Sequence, residues 1–179
     1  MNRRSTLALL AVALVAPLPL IAQTSAPAPD LTDPEVAHVA VTANSIDIDL
    51  ARLAVARATN SDVTQFAATM ITDHGAVNSQ ATALANRLGV TPKDNAVSRS
   101  LLDGAHTARA GLEKLHGRAF DRAYMTREVA YHQAVIDALD SLLIPTTDNA
   151  DLKALLQQVR PAVAAHLAHA KAILAALGS

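Results

Sequence analysis

From residue 33 onward the chain repeats apolar side chains every three or four positions, the period of a helix with one buried face, and no stretch alternates as a strand would. Val39, Ala43, Ile46, Leu50, Leu53 and Ala54 mark a first helix, with Asp33 as its N-cap, Pro34 in its first position and Thr59-Asn60 at its end. Val63, Phe66, Met70, Val77, Ala81, Leu84 and Leu88 mark a second, opened by Ser61-Asp62 and stopped by Gly89. So short a link predicts an antiparallel hairpin. Residues 98–116 are helical in pattern but interrupted by Gly104 and Gly111, and they read as a crossover ended by Gly117. A third core helix is predicted over 120–143 and a turn at Pro145-Thr146-Thr147-Asp148. A fourth helix over 149–177 turns Leu152, Leu156, Val163, Leu167, Ala170, Ile173 and Leu177 inward, with a kink expected at Pro161.

Two hairpins joined by a crossover long enough to run back along the bundle make an all-α four-helix bundle with a helical crossover between helices two and three, the ferritin-like arrangement. The Ala-rich composition agrees, since Ala favours closely packed helices.

The N-terminal residues follow a different pattern. Arg3 and Arg4 precede an apolar run over residues 7–21, followed by small residues at Ala22 and Ala26. This predicts a secretory signal peptide over 1–22, cleaved there or as late as 26, then a flexible leader over 23–32 and the bundle over 33–179. The run is short for a membrane span and contains Pro17 and Pro19. Arg3-Arg4 partly matches a twin-arginine signal, so either export route is open. With no cysteine the chain has neither a lipid-anchor site nor disulfides, and the mature protein is expected to be soluble in the periplasm, without a span; outer-membrane association has no support in the sequence. Removing the signal takes two of the 15 basic side chains and none of the 16 acidic ones, leaving the mature chain at −3. That balance, with aromatics at 2 % of residues, excludes nucleic-acid binding and leaves few stacking platforms. The Ala-rich faces leave a homodimer open, and no protein partner is identified.

Candidate chemistry lies on the core stripes. His74 continues the spacing of Phe66, Met70, Val77 and Ala81; His132 falls between Glu128 and Val135; His166 falls between Val163 and Ala170. Asp47 shares the inner edge of the first helix with Ala43, Leu50 and Ala54, and Asp121 shares a face with Met125, Glu128 and His132. Counting ~1.5 Å per residue from the bundle ends places Asp47, His74 and His132 within one turn of the same level, with His166 nearer Glu128. Asp47, Asp73, His74, Asp121, Glu128, His132 and His166 therefore form the candidate ligand set for Fe, Mn or Zn, which need neutral imidazoles and carboxylates of this kind. The same groups also make a purely structural network in which each histidine bonds a neighbouring carboxylate, and this is the first reading. It gives a non-enzymatic envelope or stress-related protein, with metal binding as the alternative and a pH-responsive interaction module as a third.

Enzymatic chemistry has less support. There is no cysteine, no Gly-x-Ser-x-Gly elbow and no phosphate-cradling glycine loop. Glu35-x-x-His38 and Glu113-x-x-His116 match di-iron spacing but fall in peripheral turns, and the full di-iron pattern is missing. His106 and His169 are expected at the surface, Met70 as core filler and Tyr124 as a core residue with its hydroxyl bonded.

Met70-Ile71-Thr72-Asp73-His74, then Gly117-Arg118-Ala119-Phe120-Asp121-Arg122-Ala123-Tyr124-Met125 with His132 following, then Arg160-Pro161-Ala162-Val163-Ala164-Ala165-His166-Leu167 are three ordered motifs. They resemble a family of exported bacterial domains of unknown function, often named predicted outer membrane protein and grouped with ferritin-like folds. The resemblance spans about residues 36–177. It implies a ferritin-like bundle and marks Asp73, His74, Asp121, His132 and His166 as characteristic polar positions. Asp47 stands where that family commonly has Glu, and the resemblance implies no established reaction.

Overall fold

The computed structural model describes residues 30–178; the expected signal peptide and most of the expected leader lie outside them. The described chain is helical, in the order α1 Asp33–Arg57, α2 Ser61–Leu88, α3 Ala96–Leu112, α4 Gly117–Ala138, a π-helical turn Leu139–Leu143, α5 Ile144–Thr146 and α6 Ala150–Gly178. No strand occurs among the described residues. α1 and α2 form one hairpin and α4 and α6 the other; α2 packs on α6 and α1 on α4, closing a four-helix bundle. α3 runs outside it against α1 and α4 as the predicted crossover.

Local chemistry explains the boundaries, and several shift from the sequence expectation. The N-cap of α1 is Thr32 rather than Asp33, because Glu35 three residues on accepts hydrogen bonds from the Thr32 backbone N–H and hydroxyl. Asp33 instead accepts the backbone N–H groups of Asp148 and Asn149, tying the start of α1 to the start of α6. Asn60 caps α2 through Oδ1, and Gly89 ends it at φ 64°, a conformation that glycine adopts without strain. α3 begins two residues earlier than expected, since Asn95 and Ser98 cap each other, and it stops at Leu112. Gly117, expected as its stop, opens α4 at φ 54°.

The predicted turn is helical through Pro145 and Thr146, and the chain leaves the helix only at Thr147-Asp148. The preceding π turn makes this possible: proline lacks an N–H and crowds the carbonyl four residues back, and a wider turn relieves both problems. Asn149 caps α6, which stays helical through Pro161. By length and composition α6 is apolar enough to cross a bilayer, yet Leu152, Leu156, Val163, Leu167 and Ile173 are packed inside the bundle.

Two apolar clusters fill the interior. Near the α1–α2 link, Phe66, Met70, Phe120, Tyr124 and Met125 are completely buried. At about 1.5–3 kcal/mol per buried large side chain, these anchor the hairpins together. Toward the other end, Leu84, Leu139, Leu143, Leu156 and Val163 line a cavity of about 330 Å³ whose walls also include Ala37, Ala40 and Ala81. Between the clusters lies a layer of buried polar side chains.

Candidate metal centre

Each of the four core helices sends polar side chains into this layer. α1 supplies Asn44 and Asp47, α2 His74, α4 Glu128 and His132, and α6 His166, all buried. The rings of His74, His132 and His166 form a nearly equilateral triangle, with centroids 5.4, 5.5 and 5.8 Å apart. One ring nitrogen from each lies within 4.8 Å of the others. Donor atoms around a tetrahedral ion at metal–nitrogen distances near 2.05 Å are about 3.3 Å apart, so shifts of about 1 Å would close the three on a cation.

Hydrogen bonds divide the nitrogens into two kinds. His74 Nδ1 is 2.6 Å from Asn44 Oδ1, His132 Nδ1 is 3.0 Å from the Glu128 carbonyl, and His166 Nε2 is 2.9 Å from Asp73 Oδ2. All three partners are acceptors, so each of these nitrogens carries the proton. The remaining nitrogens, His74 Nε2, His132 Nε2 and His166 Nδ1, are buried and have no hydrogen-bond partner. His74 Nε2 is 3.1 Å from Asp47 Oδ2, close enough that a proton on this nitrogen would lower that carboxyl. A neutral imidazole pinned through one nitrogen by an oxygen acceptor, with the other nitrogen free, is the form in which histidine ligates metals. Burial holds His132 down to about 4 and also lowers His166, with the neighbouring imidazoles adding to both effects.

Beside the triangle sits an ion-paired group. Arg127 Nη1 donates to Asp47 Oδ1 at 2.8 Å and to Glu128 Oε1 at 2.6 Å, and its guanidinium carbon lies 3.9 Å over the Tyr131 ring. Tyr131 in turn donates its hydroxyl to the Ala43 carbonyl at 2.9 Å. Burial alone would raise the Asp47 carboxyl, but His74 and the Arg127 charge hold it far below its ordinary range. Burial and the Asp47 charge push Glu128 well above its own, against the pull of Arg127. Tyr124, one turn before Glu128, is buried as expected, and burial with the Glu128 charge raises its hydroxyl well above its ordinary range.

The structure thus brings together Asp47, His74, Glu128, His132 and His166, with the His166 ring against those of His74 and His132. Asp73 stands at the rim with its side chain about half exposed, orienting His166. Asp121 is not in this layer. Its two oxygens accept the backbone N–H groups of Thr59 and Asn60 and the Thr59 hydroxyl, holding the α1–α2 link, because its place on the helix face is right but its height is two to three turns off. His38 bonds Ser98 on the crossover, and His169 and His106 are exposed, His169 with its ring against Phe66. Sequence reasoning missed Asn44, Arg127 and Tyr131. Asn44 was detectable as the residue three before Asp47 on the same face, whereas Arg127 points off the stripe and only its length brings it back.

Among solved structures, the chain resembles a DUF305 fragment from Deinococcus radiodurans, with TM-score 0.68 at 18 % identity over 82 % of this chain and 99 % of that one. It also resembles CopM in its Cu(II)-bound form, with TM-score 0.61 at 13 % identity over 82 % and 97 %. At these identities the likeness is one of fold. No curated protein sequence matches the chain. The family model for a domain of unknown function, DUF4142, matches residues 18–173, and the chain belongs to that family.

Proposed function

We propose that this protein binds one divalent transition-metal ion, copper foremost, through His74, His132 and His166, with Asp47 supplying negative charge beside them. The carrying observation is the set of three buried, unpartnered ring nitrogens whose opposite nitrogens are all pinned by acceptors. An unsatisfied buried polar atom costs about 1–3 kcal/mol, and one cation satisfies all three at once. A purely structural network would give every one of these nitrogens a partner. Even if His74 Nε2 carried a proton toward Asp47, His132 Nε2 and His166 Nδ1 would still lack one.

Imidazole ligands suit copper, zinc, nickel and iron, and copper binds such sites most tightly among the divalent ions. The fold likeness to a protein crystallised with Cu(II) supports the same order. Iron or manganese in a ferritin-like carboxylate site fits less well, since Asp47 and Glu128 are already engaged by Arg127. The signal-like N-terminus supports a periplasmic location, and the role is a non-enzymatic one of holding metal in the envelope.

The test is elemental analysis and electron paramagnetic resonance of the mature protein after one equivalent of Cu(II), beside His74→Ala and His132→Ala. The expected result is one ion per chain with nitrogen hyperfine structure from several imidazoles, lost in both variants. A folded wild-type protein that takes up neither copper nor zinc from excess at neutral pH would leave the histidines as core architecture.

A further inference from the structure

We infer that the Arg127 guanidinium is a built-in occupant of a second cation subsite formed by Asp47 and Glu128, so that the bundle takes one ion where its side chains would otherwise take two. This extends the metal-binding reading and shares residues with it, but it stands on its own geometry.

Asp47 and Glu128 come from facing helices, are both fully buried, and give one oxygen each to the same nitrogen, Arg127 Nη1, at 2.8 and 2.6 Å. Their other oxygens, Asp47 Oδ2 and Glu128 Oε2, are buried and make no hydrogen bond. These lie 3.1 Å from His74 Nε2 and 3.4 Å from His132 Nδ1. Ligand atoms of Asp47, Glu128 and His132 all fall within 4.8 Å of one another, a second convergent set that shares His132 with the histidine triangle. Two adjoining donor sets with a carboxylate facing both are the ground plan of a two-ion centre, in which the ions stand about 3.5–4 Å apart.

In this chain the second position holds a cation that cannot leave. The guanidinium is stacked on Tyr131, whose hydroxyl is fixed to the Ala43 carbonyl, and its side chain is 14 % exposed. It brings one positive charge instead of two and takes one oxygen from each of the carboxylates a second ion would need. It also stands near the ion at the histidines, and that repulsion lowers affinity there, which suits a protein that releases metal over one that stores it.

The test is equilibrium dialysis against excess Zn(II), followed by elemental analysis of the wild-type protein and of Arg127→Gln, Arg127→Lys and the double variant Arg127→Gln with Glu128→Gln. The inference expects one ion in the wild type, two in Arg127→Gln, one in Arg127→Lys, where an ammonium restores the cation, and one in the double variant. An Arg127→Gln protein that holds no more zinc than the wild type overturns the inference. If both then hold one ion, the histidine site stands; if both hold none, it falls as well. A wild type holding none beside an Arg127→Gln protein holding one would sink the histidine site and keep the inference, and a wild type holding two would overturn the inference. Should metal-free Arg127→Gln be too unstable to handle, its thermal unfolding with and without zinc decides the matter. A larger zinc-induced rise in Tm than the wild type shows is expected, and an equal or smaller rise overturns the inference.

Discussion

The two halves of the buried polar layer handle the same difficulty in opposite ways. On the Arg127 side, two carboxylates each give one oxygen to a single guanidinium, and the stacked Tyr131 fixes the geometry. On the histidine side, every ring is anchored through one nitrogen while the other is buried without a hydrogen bond. The first half carries its own cation in Arg127; under the proposed function the second half takes one from solution. A buried polar cluster therefore signals ligand binding by what it leaves unsatisfied, and the count of charged residues in it says little.

Breaking the self-contained half should cost most. Removing one partner of a buried ion pair strands the other, so metal-free Arg127→Gln is expected to lose about 3–5 kcal/mol of stability in urea unfolding. A loss of under 1 kcal/mol would mean that the carboxylates are far less dependent on Arg127 than their burial requires.

Acid should act next, on the histidine half. His132 has an ordinary value near 6.5 when unfolded and about 4 in the fold, so between those values the unfolded chain binds the extra proton. Stability from this group is present above pH 6.5 and is lost as pH falls toward 4, a gap worth about 3 kcal/mol. Glu128 works the other way, because its raised carboxyl makes the fold bind more protons above pH 4.5. His132→Gln isolates the imidazole: denaturation of the metal-free variant at several pH values should fall less steeply than that of the wild type across this window. Parallel profiles would show that His132 is not held neutral by the core.

The finest distinction concerns Asn44, which touches the triangle only through His74 Nδ1. Asn44→Ala leaves the three inward nitrogens in place but frees one ring, and loss of such an orienting partner weakens metal binding about 10- to 100-fold. Copper titration against a competing chelator measures this, and unchanged affinity would show that packing alone orients His74.

Much of this was legible in the sequence, and the failures have identifiable causes. Helical period and residue rise along the axis were enough to bring Asp47, His74 and His132 to one level, because straight packed helices preserve both quantities. Gly89 could be read as the stop of α2, whereas Asn60, read as the end of α1, and Asn149, read as the first residue of α6, are the caps of α2 and α6. Thr32 was passed over because its partner Glu35 sits inside the helix, beyond the boundary being placed. Asp121 was misplaced because sharing a face with His132 does not mean sharing a height. Arg127 is the clearest omission: a residue one position from an inward Glu128 points about 100° away, and only its long side chain turns it back into the core. The cavity had no single-residue signal, since its walls combine the small side chains of Ala37 and Ala40 on α1 with that of Ala81 on α2.

The π turn over Leu139–Leu143 holds one residue more than an α-helical turn would, and it lies after Glu128 and His132, the positions of α4 in the buried polar layer. Its outer side is strapped to α6 by Arg160, which grips Asp140 through two nitrogens at 2.6 Å. Such a turn is a slack loop in an otherwise rigid rod. Loss of one exposed residue there, such as Ser141, would tighten the coil locally and leave Arg127, Glu128 and His132 at their existing rotation. Related chains can therefore differ in length at this end of the bundle while the same side chains continue to converge above it.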